Sequence, residues 1–154
     1  MKRQGELGLS FLCCIPVVRE GGNIIRGPKE ACAEFVELRD AAQEMIGVLY
    51  LNAKNGLLDK RIISVGISDS CSIHPRELFR WAILALAKSV ILCHNHPSGD
   101  PTPSAEDLRI TRQMVESGRV LGIRVVDHII IGRPSAPNGR DFFSVKEGGL
   151  CDFD

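Results

Sequence analysis

The sequence predicts an α/β (α+β) domain in which helices cover a mixed β-sheet. Short apolar runs of strand length, such as residues 46–51 and 89–93, alternate with segments whose apolar residues recur at helical spacing, such as residues 78–86. Hydrophobic residues make up 44% of the 154-residue chain and charged residues 25%, an ordinary composition for one globular domain. No apolar run approaches the roughly 18 residues of a membrane span, so no membrane contact is expected.

The N-terminal part of the chain is predicted to form a strand followed by a helix. An apolar stretch lies near the N-terminus, but an acidic residue and Pro16 interrupt it and no small-residue cleavage site follows. A strand at Leu12–Arg19 is therefore preferred to a signal peptide. Gly27 and Pro28 predict the start of a helix, because proline is tolerated in the first helical turn, and we expect this helix to continue to about Gln43.

A β-hairpin is predicted next. Ile46–Leu51 is a continuous apolar run rich in strand formers, and Lys60–Ile67 has the composition of a returning strand. Asn55 and Gly56 between them form a dipeptide typical of hairpin turns. The two strands should therefore pair antiparallel.

The C-terminal half is predicted to alternate helices and strands. His74 and Pro75 open a helix in which Glu77 is placed to reach back to the cap. Ser104 begins a second helix that should end near the glycines between residues 118 and 122. The predicted strands are Ser89–Cys93, Ile123–Ile131 and Phe142–Val145, and the predicted loops are Gly99–Pro103 and Arg133–Arg140.

All these elements are expected to belong to one domain. Residues 1–26 would supply an N-terminal strand and turn, residues 27–149 the body of the domain, and residues 150–154 a short tail. The sequence has no internal repeat, low-complexity tract or convincing linker.

Charge and cysteine content exclude few partners but indicate a compartment. Lys plus Arg and Asp plus Glu both total 19, so no electrostatic excess argues for nucleic acid or a membrane surface. The six cysteines include no CxxC pair. In a chain long enough to fold without disulfides, scattered cysteines indicate reduced thiols in a cytoplasmic protein.

Residues 92–107 contain a candidate metal site. His94 and His96 lie two apart at the end of an apolar strand, where residues i and i+2 point to the same side. Asp107 follows on the first turn of the next helix, and the proline-rich loop between is long enough to bring that turn over the strand end. Two imidazoles and one carboxylate suit a single Zn²⁺ per chain and leave a fourth tetrahedral position to water, as in catalytic zinc sites.

Part of this pattern has a simpler interpretation. Ser104 and Asp107 also form an S-x-x-D capping pattern, which would explain both residues without a metal. The spacing H-x-H-x7-S-x2-D at a strand end and a helix start favours the metal site. The letters HNH at residues 94–96 do not indicate a nuclease, because that name describes residues spread along a longer segment.

The stretch HNHPSGDPTPSAED closely resembles the signature of the JAMM (JAB/MPN/Mov34) metalloenzymes. Together with HPRELF and VVDHIIIG it resembles the RadC-like branch in particular, over roughly residues 27–149. The resemblance implies a JAB/MPN-like mixed sheet flanked by helices, with cytidine-deaminase-like layering. It also implies that His94, His96 and Asp107 bind zinc and that Ser104 stabilises the tetrahedral intermediate.

The resemblance further implies an upstream glutamate that activates water. The family places it in a pattern like E-x-x-G-x-L before a strand, and Glu44 stands at the start of such a segment, EMIGVL. Glu77 is a competing candidate, but a capping role explains it more simply. Asp127 and His128 match a RadC-like motif, DHIIIG, in which His128 either approaches the site or is a hydrogen-bonded core histidine; His74 is expected to act locally at its helix start.

The function implied is a zinc-dependent hydrolase that cleaves a peptide or isopeptide bond in a peptide or protein substrate. The alternatives are a RadC-type nucleic-acid module in DNA repair or mobile-element defence, and a zinc-bearing interaction module without turnover. Neutral charge, few aromatic residues, and too little sequence before Gly27 for the helix-hairpin-helix region of many RadC proteins weigh against nucleic acid. A zinc deaminase would require an H-x-E and paired cysteines that the sequence lacks.

Overall fold

A computed structural model describes residues 22–66, 73–135 and 139–154 of the chain. The predicted strand at Leu12–Arg19 lies outside these residues. The helices are α1 (Pro28–Glu34), a 3-10 helix (Val36–Asp40), α2 (Pro75–Leu84) and α3 (Ala105–Leu121), and the strands are β1 (Met45–Leu51), β2 (Leu57–Val65), β3 (Ser89–Asn95), β4 (Arg124–Ile131) and β5 (Phe142–Ser144).

The five strands form one mixed sheet in the order β2-β1-β3-β4-β5. The pair β1 and β2 is antiparallel, which confirms the predicted hairpin, and β1 is also antiparallel to β3. Strands β3 and β4 are parallel, and β5 returns antiparallel beside β4. The central strand β3 therefore has β1 on one side and β4 on the other, with Ile46 opposite His94 in the β1–β3 register.

Helices cover both faces of this sheet, which confirms the predicted α+β class. Alternate residues of β1 and β3 point to opposite faces, and both strands are buried almost throughout. One core packs side chains such as Val48 and Leu92 against α2 and α3, and the other packs side chains such as Leu49 and Ile91 against α1. In the described parts of the chain, none of the helices is both long and apolar enough to cross a membrane.

The prediction of one helix continuing to Gln43 was wrong. Helix α1 ends at Glu34, because Phe35 leaves helical geometry with φ −124° and ψ 32°. Its ring is buried over Gly47, where an added Cβ would lie 2.5 Å from a ring carbon. A 3-10 helix follows, the chain becomes extended at Ala41, and two bend residues, Ala42 and Gln43, lead toward β1.

Local turn and cap chemistry confirms most of the other predicted boundaries. Asn55 has a positive φ of 59°, as its hairpin position requires, and His74 and Glu77 form the predicted capping box of α2. Helix α3 ends at Gly122 in the left-handed conformation with φ 68°. Strand β3 continues past the predicted end at Cys93 to Asn95, since pairing with both neighbours shields these polar residues. The returning strand begins at Leu57 rather than Lys60 and runs to Val65, and Ile67 of the predicted strand lies outside the described residues.

Helix α3 enters β4 through a tight turn that depends on Gly118. The Gly118 carbonyl accepts a hydrogen bond from the Ile123 amide at 3.0 Å. A Cβ at Gly118 would lie 2.4 Å from the Ile123 carbonyl oxygen, which belongs to the backbone and cannot rotate away. The absence of a side chain therefore allows the end of α3 to approach β4.

We predict that Gly118→Ala destabilises the protein by about 1–3 kcal/mol, because the new methyl group forces the backbone apart. Helix propensity alone predicts the opposite sign, a gain of about 1 kcal/mol. Denaturant unfolding measures the difference, with the exposed Glu116→Ala on the same helix as a control expected to stay within about 0.5 kcal/mol of wild type. A Gly118→Ala protein more stable than wild type would contradict this packing.

Candidate metal centre

The two predicted histidine ligands lie side by side at the end of β3. His94 is buried, whereas His96 is partly exposed just beyond the strand. Their Nε2 atoms are 3.0 Å apart. His96 Nδ1 lies 2.7 Å from the Asp100 carbonyl oxygen, which can only accept, so Nδ1 is the donor. This hydrogen bond points the other nitrogen, Nε2, toward His94.

Asp107 faces both histidines from the first turn of α3. Its Oδ1 is 3.1 Å from His94 Nε2, and its Oδ2 is 3.3 Å from His96 Nε2. Oδ2 also accepts hydrogen bonds from the backbone amide and the hydroxyl of Ser104, both at 2.7 Å. The Ser104 hydroxyl oxygen accepts in turn from the Asp107 amide at 3.1 Å. The capping interpretation of S-x-x-D is therefore correct, and the cap also orients the carboxylate toward the histidines.

Glu44, the residue before β1, also lies beside His94. Its Oε1 lies 3.7 Å from His94 Nε2. One nitrogen or oxygen atom from each of Glu44, His94, His96 and Asp107 lies within 4.8 Å of every other, a group that could hold a metal ion. The structure thus brings together the glutamate and three candidate ligands that sequence places some fifty residues apart. Glu77, the competing candidate, instead bonds through Oε2 to the His74 amide at 3.0 Å, as the cap of α2 requires.

Asn95 holds the segment that carries Glu44, a role that was not predicted from the sequence. It lies between the two histidines, but its side chain points to the opposite face of β3 and is fully buried. Asn95 Oδ1 accepts from the Met45 amide at 2.9 Å, and its Nδ2 donates to the Gln43 carbonyl at 3.0 Å. These two bonds bracket Glu44, while the Glu44 carbonyl accepts from the Gly66 amide at 2.7 Å. The sequence signal that could have indicated this role was the amide side chain between the two histidines of HxH.

The electrostatics of the cluster favour a cation between these groups. Burial raises the pKa of Asp107, but hydrogen bonds from His94 and His96, the charge of His94 and a hydrogen bond from Ser104 outweigh it, so the pKa falls well below its ordinary value. For His96, burial lowers the pKa, whereas the hydrogen bonds to Asp107 and to the Asp100 carbonyl raise it more. Asp107 is therefore ionised, and its negative charge beside two imidazoles favours a cation at this place.

The donor set and its spacing fit zinc. Ligand atoms at about 2.0–2.1 Å from a tetrahedral ion lie about 3.3 Å from one another. The contacts among His94, His96 and Asp107 span 3.0 to 3.3 Å, with Asp107 facing His94 through Oδ1 and His96 through Oδ2. Two imidazole nitrogens and a carboxylate oxygen form a ligand set found in catalytic zinc sites, whereas the hard cations Mg²⁺ and Ca²⁺ prefer oxygen ligands. The three side chains therefore fit zinc and leave one tetrahedral position free.

His128 lies against the site from β4. Its Nε2 is 2.8 Å from His94 Nδ1, and its Nδ1 is 2.6 Å from Thr111 Oγ1. Burial, and then the positive charge of His94, lower the pKa of His128 to about 3, so this imidazole is neutral near neutral pH. His128 therefore approaches the cluster through His94, which decides between the two alternatives that the sequence left open.

A β-bulge aims His128 at His94. Val90 pairs with Val125 but the next residue of β3, Ile91, pairs with Asp127, so β4 contains one extra residue. The carboxylate of Asp127 stabilises this irregular backbone, because its Oδ1 accepts from the His128 amide at 2.7 Å. Burial raises the pKa of Asp127, although its hydrogen bonds oppose that rise. In the DH pair, Asp127 thus stabilises the backbone at the bulge, and His128 contacts the site.

Comparisons with known proteins identify the family of this chain. A family model described as "RadC-like JAB domain" matches residues 25–150. A UPF0758 protein from Desulforamulus reducens is 48% identical over 128 residues, which make up 82% of this chain and 54% of that protein. UPF0758 proteins from Bacillus cereus strain G9842 and Bacillus anthracis strain CDC 684 are each 46% identical over 127 residues, 81% of this chain and 53% of theirs. The chain spans about half the length of these curated relatives.

We predict that Asn95→Ala releases the segment that carries Glu44. The change leaves the Met45 amide and the Gln43 carbonyl without partners, which costs about 1–3 kcal/mol. Amide hydrogen exchange should show loss of protection at Met45. Asn52→Ala serves as a control, because Asn52 Oδ1 accepts two amides within the hairpin turn, from Lys54 and Gly56. It should lower stability without altering exchange at Met45; equal protection of Met45 in the wild type and Asn95→Ala would disprove the clamp.

Proposed function

This chain belongs to the RadC-like JAB domain family, and from this membership we propose that it is a zinc-dependent hydrolase that cleaves a peptide or isopeptide bond in a peptide or protein substrate. The observation that carries the proposal is the meeting of Glu44 with His94, His96 and Asp107 within 4.8 Å. Three of these groups are a ligand set for zinc, and the fourth is a carboxylate of the kind that moves protons in hydrolysis.

His94, His96 and Asp107 would hold one zinc ion. When bound there, zinc supplies Lewis acidity, which lowers the pKa of a water molecule and polarises the carbonyl group to be attacked. The Asp107 carboxylate is held by its cap to Ser104, so it is oriented before a metal arrives. A preoriented ligand lowers the entropic cost of binding the ion.

Glu44 is the proposed general base. Its carboxylate lies farther from His94 than that of Asp107 does, at 3.7 Å against 3.1 Å, and 35% of its side chain is exposed against 8% for Asp107. Glu44 can therefore reach both a water molecule at the site and an incoming substrate. It would accept a proton from the attacking water and deliver it to the departing amine.

Ser104 is proposed to act on the oxyanion side. It lies next to Asp107 at the start of α3, where its hydroxyl hydrogen bonds to Asp107 Oδ2 at 2.7 Å. To stabilise the developing oxyanion, the hydroxyl must turn that hydrogen from Asp107 toward the substrate oxygen. A donor at this place would stabilise charge that appears only in the transition state.

Substrate would approach from the side of His96 and Glu44. The side chains of His94 and Asp107 are buried, with 2% and 8% exposure, whereas those of His96 and Glu44 are 18% and 35% exposed. The site therefore opens on the side of its proposed base. A backbone amide or a lysine-linked isopeptide presents the same planar carbonyl to this opening, which is why both remain within the proposed substrate class.

Comparison of Glu44→Gln with wild type tests this function. We predict that the substitution slows cleavage about 10²- to 10⁴-fold, because the amide keeps the shape of the carboxylate but cannot accept the proton. Cleavage is measured by mass spectrometry on a library of peptides and isopeptide-linked peptides, with zinc-loaded protein. Glu116→Gln, an exposed glutamate of α3, is the matched control and should cleave at the wild-type rate.

Zinc content separates loss of the base from loss of the metal. Glu44→Gln should retain about one zinc per chain, whereas His94→Ala should lose it, since the latter removes a ligand. Equal cleavage by wild type and Glu44→Gln would refute the role of Glu44. Zinc binding with no cleavage of any library member by the wild type would favour an interaction module without turnover.

A further inference from the structure

A row of three short hydrogen bonds leads from the candidate metal ligands into the core. His94 Nδ1 lies 2.8 Å from His128 Nε2, and His128 Nδ1 lies 2.6 Å from Thr111 Oγ1. Thr111 Oγ1 is 2.6 Å from the backbone carbonyl oxygen of Asp107, one helical turn earlier in α3. His94, His128 and Thr111 are each at most 1% exposed. Water therefore does not compete for these hydrogen bonds.

Counting donors fixes the direction of every bond in this row. The Asp107 carbonyl can only accept, so the single hydroxyl hydrogen of Thr111 points to it. Thr111 Oγ1 then has only lone pairs to offer His128, so His128 Nδ1 carries a hydrogen and donates. The His128 ring is 1% exposed and its two nitrogens face His94 and Thr111 rather than a carboxylate, so the ring is neutral and its single N–H leaves Nε2 as an acceptor.

The same count of donors and acceptors can be applied to the candidate ligand His94. Because His128 Nε2 accepts, His94 Nδ1 must donate to it and therefore carries a hydrogen. His94 Nε2 is then the nitrogen that faces Asp107 and His96, from which it is 3.1 Å and 3.0 Å away. A metal ion requires a ring-nitrogen lone pair, and the hydrogen on Nδ1 makes Nε2 the nitrogen that would supply it.

We propose that Thr111 and His128 are positioning residues that keep a hydrogen on His94 Nδ1, so that Nε2 is the nitrogen available to a metal. The inference rests on the proposed metal site for its consequence, but the hydrogen on Nδ1 is a property of the metal-free protein. The row starts at the backbone of Asp107, whose side chain faces the same site. The first turn of α3 thus positions one candidate ligand directly and a second through Thr111 and His128.

This role differs from that of a core histidine that only fills space. Hydrogen bonds to the second nitrogen of a ligating histidine are a general means of fixing ring orientation and tautomer. In this protein they require the β4 bulge, since the extra residue places His128 and Val125 on the same face of the sheet. They also require a hydroxyl at residue 111, because a methyl group in its place can neither donate to Asp107 nor accept from His128.

The hydrogen on His94 Nδ1 can be detected by two-dimensional NMR of ¹⁵N-labelled imidazoles in the metal-free protein. Wild type should show a protonated Nδ1 for both His94 and His128 and an unprotonated Nε2 for His128. Thr111→Val, which keeps the side-chain shape, should leave His94 Nδ1 only partly protonated, whereas Thr111→Ser, which keeps the hydroxyl, should restore the wild-type spectrum. An unprotonated Nδ1 on His94 in the wild type would overturn the proposal, as would unchanged ring spectra in Thr111→Val.

Zinc affinity measured by competition with a chromophoric chelator tests the consequence. Thr111→Val and His128→Phe should weaken binding about 10- to 100-fold, the usual loss when a partner of a ligating histidine is removed. Thr111→Ser should bind zinc as wild type does. Met114→Ala, fully buried on the same helix, should lower the melting temperature and leave the affinity unchanged.

These measurements separate failure of this inference from failure of the proposed function. If wild type binds no zinc, the proposed metal site is wrong, yet the NMR experiment still shows whether His94 Nδ1 carries a hydrogen. If wild type binds zinc and Thr111→Val binds it equally tightly, the positioning role is wrong while the hydrolase proposal stands. Should His128→Phe fail to fold, the Thr111→Val and Thr111→Ser pair still decides the outcome.

Discussion

The site depends on how β1 is fastened to the end of β3. Backbone pairing places Ile46 opposite His94, and the Asn95 side chain adds hydrogen bonds to the Met45 amide and the Gln43 carbonyl. Because both partners of Asn95 are backbone groups that flank Glu44, the backbone at Glu44 cannot move away from β3 without breaking these two part-buried hydrogen bonds. That cost is what holds together two segments that lie some fifty residues apart in the chain.

Helix α3 makes the second connection, and each polar group on its first turn serves two purposes. The Ser104–Asp107 capping box satisfies the free amides of the helix start while it aims the carboxylate at His94 and His96. One turn later, Thr111 bonds back to the Asp107 carbonyl and contacts His128. Hydrogen bonds that stabilise the helix therefore also orient the candidate ligands, so fold and site are not separable here.

Much of this arrangement could be predicted from the sequence, because its signals are local. Turn and cap residues fixed most element boundaries, and strand alternation put His94 and His96 on one side. The break at Phe35 could not be predicted, because a long-range contact of its ring with Gly47 decides it. The face of the sheet on which His128 lies could not be predicted for a similar reason. An alternating pattern does not reveal the extra residue in β4, which is seen only in the pairing of Ile91 with Asp127.

The claim that His94, His96 and Asp107 form a zinc centre is tested most directly by X-ray absorption at the zinc edge of the metal-loaded protein. The zinc ion should have four nitrogen or oxygen neighbours at about 2.0–2.1 Å, with the multiple-scattering pattern of two imidazoles. Sulfur should be absent from the ligand sphere, because none of the three cysteines in the described residues, Cys32, Cys93 and Cys151, belongs to the cluster. A sulfur neighbour at about 2.3 Å, or a spectrum without imidazole scattering, would contradict the account.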